Sequence, residues 1–244
     1  MSGLCEDGYP AMNESNHLSG KPRYSYPPET SWREVGRGAF GVVFHTTITP
    51  CCFPVAIKRI PEHAFVFSEL RRMQLIRGKS KHVVALIDFW EARGNVYLVM
   101  EKLRVFDRKH CCVPIEKVLR ETLVGLRDIH ALGIIHGDIK PSNIMLDDQG
   151  TAKLIDWDDT AYDVRYARSE DPSDRQKRAE RDLWAFAATA YEVLVGYVWD
   201  KKKTCFPERI GFVKIDFLET AFAVASDPSS AYDKLSNHPL LANA

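Results

Sequence analysis

One short polar motif in the middle of the chain constrains its fold and chemistry more than any other feature. Residues 136–143 read His-Gly-Asp-Ile-Lys-Pro-Ser-Asn, and Leu-Ile-Asp-Trp-Asp follows shortly afterwards. This spacing places Asp138, Lys140 and Asn143 on one tight loop and brings a second acid, Asp156, after it. Phosphoryl transfer from a nucleotide needs such a set: a carboxylate for the attacking hydroxyl, a cation near the moving phosphate, and two oxygen ligands for magnesium. The motif therefore predicts a phosphoryl-transfer site.

A glycine-rich segment near the start of the chain lies between two predicted strands. A Rossmann turn would run from a strand into a helix, so a glycine hairpin over a triphosphate fits this context better. Without Cβ atoms, the backbone amides of such a hairpin can approach phosphates closely. The segment consists of Gly36, Arg37, Gly38, Ala39, Phe40 and Gly41.

Lys58 ends the apolar strand Val55-Ala56-Ile57, where a buried ammonium group needs an anionic partner. The next helical stretch offers Glu69, one turn before Met73 on the same face. Glu62 is the rival, but it follows Pro61 and precedes the apolar stripe, which predicts a solvated position. We therefore predict that Lys58 pairs with Glu69.

The chain changes from strand-rich to helix-rich along its length. Residues 1–30 are rich in Ser, Asn, Gly and Pro, and we predict a flexible tail there. Strands, one helical stretch from Val66 to Arg77 and two further strands (Val83–Trp90 and Val96–Met100) follow, with a turn at Arg93-Gly94-Asn95. Helical periodicity then dominates, over Ile115–Leu132 and Arg181–Val195.

Composition excludes several classes of protein. The 244 residues carry 33 basic and 33 acidic side chains, so no overall charge favours nucleic acid or an anionic membrane. No apolar run approaches the roughly 18 residues of a membrane span, and no signal-peptide pattern opens the sequence. The 6 cysteines lack zinc or disulfide spacing, which favours reduced thiols in a soluble protein of the cytoplasm or nucleus.

Taken together and in this order, the motifs resemble those of eukaryotic-type protein kinases over residues 31–241. Asp182 and Trp184, Asp227-Pro228 and His238-Pro239 extend the resemblance beyond the loop motifs. It implies an α+β, two-lobed fold: a small β-rich N-lobe with one helix over about 31–102, and a mostly helical C-lobe over about 103–244. The cofactors would be ATP, bound between the lobes, and Mg²⁺.

The resemblance also assigns roles by position. Lys58, held by Glu69, would contact the α- and β-phosphates, while Asp138 would orient the acceptor hydroxyl. Lys140 would neutralise charge near the γ-phosphate, and Asn143 and Asp156 would hold magnesium. For the adenine ring, the resemblance implies a gate at Met100, backbone hydrogen bonds from Glu101 and Leu103, and apolar contacts from Val43, Ala56 and Met145. An apolar spine of Met73, Leu86, His136 and Trp157 would join the lobes.

The chain departs from the family pattern at three places. Gly137 stands where an arginine normally binds an activation-loop phosphate, so we expect activity that does not need such a phosphate. Asp158 stands where the magnesium motif normally ends in glycine. No Ala-Pro-Glu precedes Asp182, and Ala231 occupies the position of the arginine that normally pairs with its glutamate. Such a trimmed pattern is compatible with a viral as well as a cellular origin.

Three functions remain open from the sequence. Lys140, two positions after Asp138, favours a serine/threonine protein kinase with a protein substrate. Small-molecule phosphotransferases of the aminoglycoside and choline type share the His-Gly-Asp and Asp-Trp-Asp elements, although they commonly lack this lysine. A nucleotide-binding pseudokinase scaffold is the third reading, which the complete set of polar residues opposes. The oligomeric state is not predicted.

Overall fold

The computed structural model describes residues 21–38, 41–65, 67–110, 112–156, 172–198 and 206–242, which divide into two units. The first unit runs up to Arg77 and continues over Val84–Leu103. The second unit contains Gly78–Val83 and the chain from Arg104 onward.

The first unit is built on a five-stranded antiparallel sheet in the order β1-β2-β3-β5-β4. Its β-branched and aromatic residues favour strands, and those facing the core are almost fully buried. The β4–β5 hairpin turns through Arg93 and Gly94, whose φ angles of 52° and 69° are those of a type I′ turn. The strands are β1 (Arg33–Gly38), β2 (Gly41–Ile48), β3 (Phe53–Pro61), β4 (Leu86–Ala92) and β5 (Asn95–Glu101).

One α-helix, α1 (Phe67–Ile76), accompanies this sheet in the described part of the first unit. Leu70, Met73 and Ile76 lie one turn apart along it and are buried, as the helical spacing predicts. Of the other residues predicted on this helical stripe, Val66 lies outside the described residues, and Arg77 follows directly after the last helical residue.

Residues 21–30 differ from the predicted flexible tail, while residues 1–20 lie outside the described part. The Tyr26 ring stacks on Trp90 with centroids 5.3 Å apart, and Trp90 in turn stacks on Tyr97 at 4.7 Å. The buried Asp88 carboxylate accepts hydrogen bonds from the backbone N–H of Arg23 (2.9 Å) and the Tyr26 hydroxyl (3.0 Å). Aromatic residues within this polar stretch therefore cover one face of the sheet.

The second unit combines a small sheet with five α-helices in its described part. The sheet has the order β6-β7-β8 and is antiparallel. Helix α2 packs on β8 and α3, and α3 packs on α4 and α5 around a core that includes Phe186 and Phe217. The elements are β6 (Arg104–Val105), α2 (Ile115–Ala131), β7 (Ile144–Leu146), β8 (Ala152–Leu154), α3 (Pro172–Val195), α4 (Phe212–Val224), α5 (Pro228–Ser236) and α6 (Pro239–Ala242). The α+β fold class with a β-rich and a helical part is confirmed.

Helix α3 begins at Pro172, earlier than the predicted start at Arg181. Its first part, Pro172-Ser-Asp-Arg-Gln-Lys-Arg, contains no apolar stripe, so periodicity could not reveal it. The buried face starts at Ala179 and continues through Leu183 and Phe186.

The boundary between the units also differs from the predicted one, because residues 78–83 belong to the second unit. The His82 carbonyl accepts a hydrogen bond from the Leu154 N–H at 2.9 Å, and Val83 forms a parallel bridge with Leu154. A Cβ atom at Gly125 of α2 would lie 2.7 Å from the His82 carbonyl oxygen, so glycine permits this close approach. The predicted strand Val83–Trp90 accordingly begins only at Leu86.

Two further features of the described residues concern membrane spans and cysteines. None of the described helices is long and apolar enough to cross a membrane. Cys51, Cys52 and Cys112 carry free, exposed thiols.

We expect Asp88→Asn to lower the free energy of unfolding by about 1–3 kcal/mol. The NH₂ group of the asparagine cannot accept the hydrogen bonds that the Asp88 carboxylate accepts. Tyr26→Phe removes a single donor and should cost less, about 0.5–1.5 kcal/mol. Urea unfolding of both variants tests this order. Equal stability of Asp88→Asn and the unmodified protein would contradict the role assigned to the carboxylate.

Candidate active site

The predicted loop, residues 136–143, is bound through its backbone by Asp182 on α3. Its carboxylate, 2 % exposed, accepts hydrogen bonds from the backbone N–H groups of His136 (2.8 Å) and Gly137 (2.9 Å). Gly137 has a φ angle of 87°, a left-handed conformation that glycine adopts with little strain. Thr189 of α3 adds a hydrogen bond from its hydroxyl to the Ile139 carbonyl at 3.3 Å. Helix α3 thus fixes the backbone on both sides of Asp138.

The structure brings Asp138, Lys140 and Asn143 together. The Lys140 ammonium lies 2.5 Å from Oδ2 of Asp138, and Asn143 donates from Nδ2 to the same oxygen at 2.9 Å. Asn143 also donates to the Asp138 backbone carbonyl at 2.8 Å. The side chains of Asp138 and Lys140 are 38 % and 48 % exposed, so the charged pair is open to solvent. Both donors hold the same carboxylate oxygen, Oδ2.

His136 joins this loop to the segment that carries Asp156. The fully buried ring donates from Nε2 to the Ile155 carbonyl (3.0 Å), and its Nδ1 accepts from the Asp138 N–H (3.3 Å). A neutral imidazole with the proton on Nε2 satisfies both contacts. Burial lowers the pKa of His136, while Asp182 opposes that change. The Asn143 carbonyl accepts from the Ile155 N–H at 3.0 Å, so Asp156 directly follows a residue bound to Asn143.

The predicted metal ligands fit magnesium by their chemistry. Carboxylate and amide oxygens are hard ligands, and Mg²⁺ is usually bound through one or two carboxylates together with substrate phosphates. Since Asn143 commits Nδ2 to Asp138, its Oδ1 is the atom that could serve as a ligand. In the part of the chain that the structure describes, no group of three or more His, Cys, Asp or Glu side chains could hold a metal.

In the first unit, the Lys58 ammonium donates to Oε1 of Glu69 at 2.7 Å. Their side chains are 14 % and 7 % exposed, so this ion pair is largely removed from water. Glu62 lies in an exposed turn. The geometry selects Glu69 as the partner of Lys58, as the sequence predicts.

The glycines of the predicted phosphate hairpin differ in their surroundings. A Cβ atom at Gly36 or Gly38 would meet no other atom within 4 Å, whereas one at Gly41 would collide with the Arg59 carbonyl on β3. Gly41 is therefore required for the close approach of β2 and β3, and the first two glycines leave open space beside the backbone. Arg37 pairs with Glu34 at 2.6 Å and is exposed; Ala39 and Phe40 lie outside the described residues.

The residues predicted to contact adenine lie on strands, except Leu103, which lies between β5 and β6. Ala56 is opposite Met100 across β3 and β5, and Val43 is opposite Lys58 across β2 and β3. Met145 lies on β7 of the second unit, and Leu103 is buried in the first.

Glu101 has a role that the sequence did not reveal. Its buried carboxylate accepts a hydrogen bond from the Ala85 N–H at 2.7 Å, and its own N–H donates to the Ala85 carbonyl at 3.1 Å. The Glu101 N–H is thus already engaged in a hydrogen bond within the first unit.

Two other residues singled out in the sequence, Trp157 and Asp158, lie outside the described residues. Sequence reasoning also missed His130 of α2, whose Nε2 lies 2.9 Å from Oδ2 of Asp182. No local pattern distinguishes this histidine from others on an amphipathic helix, because its partner is distant in sequence.

We predict that stability decreases as pH falls below about 6.5, the usual histidine pKa. Burial lowers the pKa of His136, and of His82 too, so the folded chain binds fewer protons than the unfolded chain in this window. His136→Phe should be less stable at pH 7.5, because the Asp138 N–H and the Ile155 carbonyl lose their partner. Its stability should nevertheless vary less between pH 7.5 and 5.5. Parallel pH dependences in urea unfolding would contradict this assignment.

Comparison with known proteins gives a consistent result. The family model described as "Protein kinase domain" matches residues 30–205. The serine/threonine-protein kinase shk1/pak1 of Schizosaccharomyces pombe is 26 % identical over 252 residues, covering 86 % of this chain and 38 % of that protein. A probable cell division protein kinase of Encephalitozoon cuniculi is 31 % identical over 136 residues, covering 51 % of this chain and 44 % of the relative. The chain thus spans less than half the length of these two curated relatives.

A solved structure supports the fold independently. The crystal structure of Rad53 1-466 in complex with AMP-PNP matches with a TM-score of 0.66 at 23 % identity, covering 89 % of this chain and 65 % of that one. At this identity the likeness concerns the fold alone. The family match covers most of the chain and includes the loop, the Lys58–Glu69 pair and the glycine hairpin. The chain therefore belongs to the protein kinase domain family.

Proposed function

We propose that this chain is a serine/threonine protein kinase that transfers the γ-phosphoryl group of ATP to hydroxyl groups of proteins. The observation that carries the proposal is the loop geometry, in which Lys140 and Asn143 hold one oxygen of the Asp138 carboxylate. Membership of the protein kinase family supports it.

Asp138 would act on the acceptor. With Oδ2 held by two donors, Oδ1 can accept the proton of a serine or threonine hydroxyl and orient its oxygen toward the phosphoryl group. The backbone N–H groups of His136 and Gly137 donate hydrogen bonds to Asp182, and these bonds limit movement of the Asp138 carboxylate. Positioning accounts for much of the rate enhancement in phosphoryl transfer, because the protein performs little covalent chemistry.

The two lysines would stabilise negative charge. Lys140 is half exposed and can exchange its contact with Asp138 for a phosphate oxygen. Lys58 is held at a fixed place by Glu69 and would bind the α- and β-phosphates. When bound, ATP supplies the transferred group and Mg²⁺ neutralises phosphate charge, with Asn143 and Asp156 as its protein ligands. The phosphates would be covered by the glycine hairpin of residues 36–41.

A protein acceptor is favoured over a small molecule. Lys140 occupies the position typical of serine/threonine protein kinases, and the curated relatives reported above carry protein-kinase names. The formed Lys58–Glu69 pair and the oriented Asp138 favour an active enzyme over a scaffold. The exposed, unpaired thiols of Cys51 and Cys52 suit a reducing compartment such as the cytoplasm or nucleus.

We expect Asp138→Asn to lower the rate of protein phosphorylation by about 10²–10⁴-fold, the usual contribution of a positioned acid or base. Nucleotide binding should change little, because Asp138 acts on the acceptor. The assay uses labelled ATP, magnesium and a mixed protein acceptor, followed by identification of the labelled amino acid. Asp148→Asn, an exposed carboxylate in the turn between β7 and β8, is the matched control and should behave like the unmodified protein.

The outcomes separate the three functions. Label on serine or threonine that disappears in Asp138→Asn supports the proposal. Equal rates for both proteins would refute the role of Asp138. Magnesium-dependent ATP binding without transfer to protein would favour a small-molecule acceptor or a nucleotide-binding scaffold, and absence of nucleotide binding would exclude both enzyme functions.

The glycine hairpin gives an independent prediction. Gly38→Ala should fold with unchanged stability, since its Cβ meets no atom within 4 Å, but should weaken ATP binding by about tenfold if phosphates occupy that space. Gly41→Ala should instead lower the free energy of unfolding by about 1–3 kcal/mol through overpacking against β3. Thermal unfolding and nucleotide titration measure both effects. Unchanged ATP affinity in Gly38→Ala would place the phosphates elsewhere.

A further inference from the structure

Three side chains are joined by hydrogen bonds next to the loop of residues 136–143, which carries Asp138. The Tyr232 hydroxyl of α5 lies 2.6 Å from Nδ1 of His130 on α2, and Nε2 of the same ring lies 2.9 Å from Oδ2 of Asp182 on α3. Asp182 in turn binds the backbone N–H groups of His136 and Gly137. The chain of contacts therefore runs from α5 to the two residues before Asp138.

The direction of each hydrogen bond follows from the chemistry of the groups. An ionised carboxylate can only accept, so a neutral His130 must carry its proton on Nε2, facing Asp182. Nδ1 then presents a lone pair, and the Tyr232 hydroxyl must donate to it. Burial, and next the nearby Asp182, raise the pKa of Tyr232, so the hydroxyl keeps its proton and remains a donor. Arg127 and Asp128 also face this tyrosine, with opposite effects on its pKa.

The hydrogen bonds between Tyr232, His130 and Asp182 lie largely inside the protein. The His130 and Asp182 side chains are 8 % and 2 % exposed, and the Tyr232 and His130 rings meet edge to face with centroids 5.9 Å apart. Without the Tyr232 hydroxyl, Nδ1 of this buried imidazole would lose its described hydrogen-bond donor. The ring could then shift from the position in which Nε2 meets Asp182.

We propose that Tyr232 is a positioning residue for phosphoryl transfer, which holds the His130 ring in place and thereby maintains the hydrogen bonds that Asp182 accepts from the loop of residues 136–143. The expected effect of Tyr232 on the rate rests on the proposed kinase function. The expected effect of Tyr232 on the loop backbone does not depend on that function. Between Tyr232 and the loop that carries Asp138 stand His130 and Asp182. Its influence reaches Asp138 through backbone position, where displacements of about 1 Å can cost about 10²-fold in rate.

The first experiment compares Tyr232→Phe with Tyr97→Phe as a matched control. Tyr97 also loses a hydroxyl hydrogen bond, to Glu29 at 3.3 Å, but it lies in the first unit. We expect Tyr232→Phe to lower kcat about 10- to 100-fold, while KM for ATP stays within about twofold. The control should keep its kcat. Unchanged kcat in Tyr232→Phe, or an equal loss in both variants, would overturn the proposal.

A second measurement does not depend on catalysis. Hydrogen exchange of the His136 and Gly137 amides, followed by NMR, should accelerate at least about tenfold in Tyr232→Phe and remain unchanged in Tyr97→Phe. Unchanged exchange in Tyr232→Phe would refute the link to the loop. If the unmodified protein transfers no phosphate to protein, the proposed function fails, and this measurement still decides whether Tyr232 controls the loop.

A double-mutant cycle tests whether Tyr232 acts through His130. The effects of Tyr232→Phe and His130→Phe on amide exchange should be strongly non-additive, with little further change in the double variant. Additive effects would show that Tyr232 acts by another route. Should His130→Phe fail to fold, amide exchange in Tyr232→Phe alone decides the proposal.

Discussion

The buried carboxylate of Asp182 is the group on which the arrangement of the loop of residues 136–143 depends. It receives two backbone N–H groups of the loop and one imidazole nitrogen, so donors from separate segments converge on a single anion. Such charge-assisted hydrogen bonds are stronger than neutral ones, and a buried anion without them would be costly. Since Asp182 belongs to a long packed helix, the position of α3 in the core sets the position of Asp138.

The same physical device recurs elsewhere in the chain, wherever irregular backbone has to be fixed. Asp88 accepts the backbone N–H groups that hold residues 21–30 on the sheet, and Glu101 accepts the N–H of Ala85 before β4. Glu121 of α2 accepts the N–H of Ala152 at 2.8 Å at the start of β8. Backbone donors outside regular ladders need acceptors, and a carboxylate offers several lone pairs at one place. Buried acids in this protein thus serve backbone geometry as well as chemistry.

Several features could be predicted from sequence because they depend on local order. The polar motif placed Asp138, Lys140 and Asn143 on one loop, and helical spacing pointed Glu69 toward Lys58. The start of α3 and the attachment of residues 21–30 could not be predicted in this way. A polar first turn has no apolar period, and the aromatic side chains of the N-terminal segment gain their partners from strands more than 60 positions away.

The sequence by itself determined the fold class, the family and the residue types available for phosphoryl transfer, since motif order and periodicity are properties of neighbouring residues. Only the tertiary structure decided which groups hold those residues in place. His130 and Tyr232 lie 102 positions apart, and their link to Asp182 exists because three helices pack side by side. Contacts of this kind arise from the packing of distant segments, which local propensity does not encode.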